Sequence, residues 1–242
     1  MKDTVYEASP DPISTSKTRG ASEYGYDDLR TLMSRQTGDA KHDRAATSTL
    51  DVLWVLYDKV LRVSPGTAED GERDRFYLSK GHGPMAYYAV LAAKGFFPAD
   101  VLDGFGGSDS ILGWHPDRTL VPGVEISSGS LGHGLPLAVG TALGLRARQL
   151  PSRVWVLVGD GELDEGSNHE AIAYAGRARL ENLHVVVIDN ASAKHGWPGG
   201  IERRFAFEGW STARVNGRDH AALEEAFTTA HPERPHVVVA EV

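Results

Sequence analysis

The chain is 242 residues long, 41% apolar and 24% charged, the composition of a globular protein able to bury its own core. Its 25 Lys plus Arg against 33 Asp plus Glu leave a net charge of −8 with no basic tract, which argues against nucleic acid as a partner. With no cysteine, disulfides, thiolate metal sites and cysteine nucleophiles are excluded, and the absence of a positive-then-apolar leader after Met1 makes the cytoplasm the expected compartment.

Residues 1–25 mix Ser, Thr, Asp, Lys and Gly without apolar periodicity, which predicts a flexible N-terminal tail ahead of one domain over 26–242. Apolar spacing through Leu50, Leu53, Trp54, Tyr57, Val60 and Leu61 predicts a helix over 48–62, with Ser48 and Asp51 as a capping pair. A second helix is expected over 84–95. The longest uncharged stretch, Ile126 to Leu145, holds five glycines, three serines, a histidine and a proline among its 20 residues, too polar for a membrane span. It is expected to be a loop running into a buried helix from Gly134 to Gln149, where Gly140 and Gly144 would permit close helix packing.

Val154 to Val158 and Val185 to Ile188 are short Val-rich runs, predicted as buried parallel strands. Between them Ser167 and Glu170 could cap a helical pattern through Ala171, Ile172, Ala175 and Leu180. A strand at Ser211–Val215, a helix from Asp219 to about Thr229 and a strand from His236 to Val242 continue the alternation. The expected fold class is α/β: a single doubly wound, mostly parallel sheet flanked by helices.

In such sheets ligands sit beyond the carboxyl ends of the strands, and the two Val-rich runs end in Asp160 and Asn190. A carboxylate, an amide oxygen and the backbone carbonyl of Ser192 suit magnesium, which takes oxygen ligands and completes its shell with phosphate and water. Gly161 lacks a Cβ, so a diphosphate can approach its backbone. A tight strand-to-loop turn would use the same Gly-Asp-Gly.

The run Gly159-Asp160-Gly161-Glu162-Leu163-Asp164-Glu165-Gly166, continuing to Ile188-Asp189-Asn190, closely resembles the thiamin diphosphate and magnesium motif of transketolases. Asp74 to His82, Gly113-Trp114-His115-Pro116-Asp117 and Ser128 to Gly134 match further stretches of that family in the same order. The resemblance, over about Lys41 to Val242, implies that Asp160, Asn190 and the Ser192 carbonyl hold Mg2+. It places Gly161 and His82 with the cofactor diphosphate, Gly129, Ser130 and Leu131 along its rings, and Gly159 and Glu162 among the cofactor-binding residues. His82 and His115 would hydrogen-bond the substrate hydroxyls and pass protons, work suited to a group titrating near neutrality. Glu165 resembles the family's buried acid at the subunit interface. His42 matches an active-site histidine, although its neighbours Lys41, Asp43 and Arg44 depart from the glycine-rich pattern and put ordinary sugar-phosphate specificity in doubt. His184, His220, His231 and His236 read as structural histidines.

The family's pyrimidine-binding domain has no counterpart here, so the resemblance implies the N-terminal subunit of a split transketolase. It would be active together with a C-terminal partner subunit, in an α2β2 heterotetramer, moving a two-carbon ketol unit from a ketose-type donor to an aldehyde or other acceptor. The alternatives are the α subunit of a 2-oxo acid dehydrogenase E1 component, expected to lack Lys80-Gly81-His82 and Gly113-Trp114-His115-Pro116, and a non-catalytic cofactor-binding scaffold.

Overall fold

The structure, a computed structural model, describes residues 24–38 and 43–242; the expected tail, apart from residues 24 and 25, and His42 lie outside these. Among the described residues, five parallel strands form one sheet: β1 (Arg75–Leu78), β2 (Val154–Gly159), β3 (Leu183–Asp189), β4 (Ser211–Asn216) and β5 (His236–Glu241), in the order β1-β2-β3-β5-β4. The register follows from the apolar runs, with Val154 opposite Leu183 and His184 opposite His236.

Alternate residues of each strand feed opposite faces. Phe76, Trp155, Leu157, Val186, Ile188 and Val238 enter one core with helices α1 (Leu29–Ser34), α3 (Leu50–Val55), α4 (Met85–Ala93) and α8 (His220–Thr228). Tyr77, Val154, Val156, Val185, Val187 and Val237 enter the other, with α5 (Gly134–Ala147), α6 (Gly166–Arg177) and α7 (Ile201–Phe207). A strand buried on both faces favours apolar side chains at successive positions, which is why β2, β3 and β5 are rich in Val. No helix among the described residues is long and apolar enough to cross a membrane.

Several expectations change. The helix expected over 48–62 is divided: α2 (Asp43–Thr47) precedes it, and past α3 the chain widens into a π-helical turn over Leu56–Val60. Ser48 does not cap; its hydroxyl donates to the Ala45 carbonyl, while Asp51 accepts from Tyr26, Arg218 and His220. Ser167 does not cap α6 either, since its Oγ donates to the Gly132 carbonyl at 2.6 Å. Helix α5 is buried along one face only: Leu137 is 51% exposed, and a Cβ at Gly140 or Gly144 would meet nothing, so those glycines pack against no helix among the described residues. Strand β1 and helix α7 had no place in the sequence-based expectation.

The amino end of the sheet is anchored by Asp74, buried ahead of β1, which accepts from the guanidinium groups and backbone N–H groups of Arg62 and Arg153. Burial would raise its pKa, but those bonds outweigh it and hold the carboxyl below its ordinary value. His184 and His236 are buried at the same end. Desolvation first, then the neighbouring charges, holds His184 well below its usual pKa and His236 down to about 4. Between pH 6.5 and about 4 the unfolded chain therefore binds protons that the folded chain refuses, so stability falls as pH falls through that window. The urea midpoint should be lower at pH 5 than at pH 7.5, and His236→Gln should shrink the difference; an equal difference in both proteins would show that these rings do not set it.

Candidate active site

The carboxyl ends of β1, β2 and β3 open onto one concave region. β1 leads into Ser79-Lys80-Gly81-His82, β2 into Asp160-Gly161-Glu162, and β3 into Asn190-Ala191-Ser192, while the loops 113–117 and 128–134 close the region from the side. His82 and His115 come together with ring centroids 5.2 Å apart and planes at 79°. Gly81 allows this: a Cβ there would lie 2.6 Å from the Gly129 nitrogen, so any side chain would push the 128–134 loop away. Gly129 has φ +147°, and a Cβ on it would stand 2.9 Å from the His115 ring.

Asp160 is buried at the tip of β2. One oxygen accepts from the Gly161 N–H and the Ser192 hydroxyl, the other from the N–H groups of Ser192 and Ala193 at 2.7 and 3.0 Å. The loop after β3 is thus folded onto this carboxylate. The Ser192 carbonyl lies beside Gly161, 3.6 Å from where its Cβ would be. The buried Oδ1 of Asn190 has no hydrogen-bond partner. A buried amide oxygen without a donor costs free energy unless something positive meets it, and here it stands at the neighbouring strand tip to a carboxylate. One carboxylate, one amide oxygen and one carbonyl fit a hard divalent cation that keeps further positions for phosphate. The described residues hold no cluster of three or more His, Cys, Asp or Glu, so softer metals find no set of ligands there.

Glu162, expected beside the cofactor, is turned inward and only 2% exposed. Its carboxylate accepts from the Ser79 hydroxyl, the Gly132 N–H at 2.9 Å and the Gly159 N–H at 3.3 Å, joining the ends of β1 and β2 to the glycine loop. Burial raises its pKa, opposed by those three donors and by the Lys80 charge. Sequence reasoning missed this tie, although an acid directly after Gly-Asp-Gly, with Ser79 and the glycine loop in the quoted motifs, was its available signal. Glu165, expected as a buried acid at a subunit interface, is exposed on this chain by itself.

Lys80 was also missed as an individual residue. Its side chain runs alongside Gly159 and donates to the Ala45 carbonyl and the Ser48 hydroxyl at 3.2 and 3.4 Å, on the segment that follows His42. Burial lowers its pKa to about 8, with Asp160 and Glu162 pulling the other way.

Comparison with known proteins agrees with this geometry. Residues 27–241 match the family described as transketolase, thiamine diphosphate binding domain. The chain is 59% identical over 222 residues to Ferredoxin fas2 of Rhodococcoides fascians, covering 91% of this chain and 73% of that protein. It is 36% identical over 206 residues to one of the subunits of the apulose-4-phosphate transketolase of Actinobacillus succinogenes, covering 82% and 75%. Among solved structures, a transketolase variant from Pichia Stipitis superposes with a TM-score of 0.78 at 25% identity, over 89% of this chain but 35% of the other. The chain thus spans about a third of the length of that full transketolase. Despite the name of its fas2 relative, the chain has no cysteine and so no thiolate for an iron–sulfur cluster.

Glu162→Ala leaves three buried donors without an acceptor and should cost about 2–3 kcal/mol in urea unfolding. Glu162→Gln, which keeps one acceptor oxygen, should cost less than half of that; equal losses would show that volume rather than hydrogen bonding matters there.

Proposed function

The chain belongs to the transketolase family through its thiamine diphosphate binding domain, and from that premise we propose that it is the N-terminal subunit of a split, Mg2+-dependent transketolase. The observation that carries the cofactor assignment is the buried, partnerless Asn190 Oδ1 directly after β3, the strand that neighbours the one leading into Asp160. Those three groups would hold Mg2+, and the Gly161 backbone and His82 would meet the diphosphate. Gly129, Ser130 and Leu131 would lie along the cofactor rings. Glu162 then acts from behind, keeping Gly132 and Gly159 in register rather than touching the cofactor.

When bound, thiamine diphosphate supplies the electron sink for cleaving a C–C bond next to a carbonyl. His82 and His115, whose rings meet at the same mouth, would orient the substrate hydroxyls and exchange protons as a carbonyl becomes an alcohol or the reverse. His42 joins them in this proposal. The Lys80 ammonium, half-buried between Gly159 and the segment after His42, keeps positive charge beside the diphosphate position and fastens that segment to the site floor.

Relatives named as single subunits of transketolases support a two-subunit enzyme, and so does a chain spanning a third of full-length transketolases. We place the pyrimidine-binding half of the active site on a C-terminal partner subunit in an α2β2 cytoplasmic assembly, with exposed Glu165 at the contact between subunits. The domain of this chain then covers 26–242. The substrates would be a ketose-type donor and an aldehyde or related acceptor, a class that includes the sugar phosphate named for two relatives.

Calorimetry on the assembled complex should show saturable thiamine diphosphate binding that needs Mg2+ and is abolished by a chelator. Asp160→Ala and Asn190→Ala should each weaken it by about 10–100-fold while leaving the thermal midpoint of the ligand-free complex nearly unchanged for Asn190→Ala. Unaltered affinity in both variants would overturn the metal assignment. Lys80→Met should lower turnover of a ketose donor more than it lowers cofactor affinity; the reverse order would make Lys80 a cofactor ligand only.

A further inference from the structure

The opposite end of the sheet carries a second concentration of unused polarity. Five of the ten buried side-chain polar atoms without a partner among the described residues cluster there: Ser152 Oγ, Trp155 Nε1, Asn182 Oδ1, His184 Nδ1 and His236 Nδ1. Three of these residues, Ser152, Asn182 and His184, line a cavity of about 490 Å³ at the amino ends of β2 and β3, together with Arg146, Arg153 and His231. Ser152 is fully buried and His184 is 4% exposed, so bulk water does not satisfy either. Leu150 and Phe227 form apolar wall.

The three histidines are packed as a group, His184 to His231 at 4.7 Å and His231 stacked on His236 at 4.9 Å. Two of the three rings also meet backbone carbonyls. His236 Nε2 faces the Ala226 carbonyl and His231 Nδ1 faces the Arg234 carbonyl, and a carbonyl can only accept. Among the lining residues, Asn182 Oδ1, whose amide nitrogen donates to the Ala142 carbonyl, and His184 Nδ1 are left without a partner. Trp155 Nε1 can only donate, and Ser152 can do either.

The charge around the cavity is positive. Arg146 is exposed on its rim, and Arg62 and Arg153 share the single carboxylate of Asp74. The acid on the lining, Glu181, already accepts from the Glu233 N–H. We propose that this cavity is a binding site for a small oxyanion that carries exchangeable hydrogen, of the hydrogen phosphate class, free or as the end group of a small metabolite. Such a group accepts from Ser152 and the arginines while donating to the imidazole and amide acceptors, a match that a simple halide or a cation cannot make. The site is separate from the active site: β2 runs from Val154 beside the cavity to Gly159 beside Asp160, about 17 Å at the rise of a strand.

The test uses the full chain with isotope-labelled histidine and inorganic phosphate as probe, against chloride at equal ionic strength. The ring signals of His184 and His231 should move saturably with phosphate and not with chloride. Ser152→Ala should weaken that binding at least tenfold. Because it deletes a buried hydroxyl without a partner, it should also raise the thermal midpoint of the phosphate-free protein by about 2 °C or more. Arg146→Gln, on the rim, should weaken binding without changing that midpoint. Ring shifts that grow linearly or match those in chloride would overturn the site. A Ser152→Ala protein that melts lower and keeps its phosphate affinity would show instead that the hydroxyl serves an ordered water. A sugar phosphate that binds tighter than inorganic phosphate would identify the end-group source; equal affinities would identify the free ion.

Discussion

A carboxylate buried without cationic contact is costly, and Glu162 is held there by three donors from three separate pieces of chain. The arrangement fixes relative position as much as it contributes stability. Ser79 ends β1, Gly159 ends β2, and Gly132 belongs to the loop that also carries Gly129, so the carboxylate sets the distances among the three backbone stretches that line the active-site mouth. Ser79 extends the network by accepting from the Gly134 N–H, which ties in the first residue of α5. The Asn168 amide donates to the Glu162 carbonyl and brings in α6. Lys80 stands close enough for its charge to favour the ionised carboxylate, and its own reach to Ala45 and Ser48 carries the same order outward to the segment after His42.

The two ends of the sheet solve opposite problems. At the amino end a single carboxylate, Asp74, is saturated by two arginines and two backbone N–H groups, which closes the sheet edge around β1 and keeps Arg153 in place. At the carboxyl end Asp160 is also saturated, but by donors from a loop, and its neighbour Asn190 keeps an oxygen unused. The first arrangement favours permanence. The second leaves a buried amide oxygen without a donor at a strand tip.

What was legible in the sequence was whatever depends on local pattern. The Val runs of β2 and β3, the intervening helix and the strand-tip Asp160 and Asn190 follow from apolar periodicity and chain order. Strand β1 has just four residues and begins at Arg75, too short and too charged for periodicity to show. Helix α7 left a trace in Ile201 and Phe205 at i, i+4 after two positive-φ glycines, Gly199 and Gly200, but its seven residues are few. The proposed capping pairs failed because both hydroxyls found carbonyl acceptors: Ser48 locally, on Ala45 three residues back, and Ser167 on distant Gly132, a tertiary competition that a hydroxyl pattern does not reveal. Glu162 shows the same limit at the site itself, since its position in a cofactor motif suggests contact while its partners lie 30 and 83 residues away.

The loop after β3 shows how the backbone helps to aim the candidate metal ligands. Ala191 adopts φ +55°, a left-handed conformation that costs an alanine about 1 kcal/mol or more relative to glycine. That single residue reverses the chain between Asn190 and Ser192, so the Asn190 side chain stays at the tip of β3 while the next N–H groups turn back onto Asp160. A straight continuation of β3 would carry Ser192 away from β2 and leave the Asp160 carboxylate buried with the Gly161 N–H as its donor on that side. The strain at Ala191 is therefore offset by the two backbone hydrogen bonds it makes possible. Together they fold the loop that carries Ser192 onto the tip of β2, so its backbone is already ordered there by contacts within the chain.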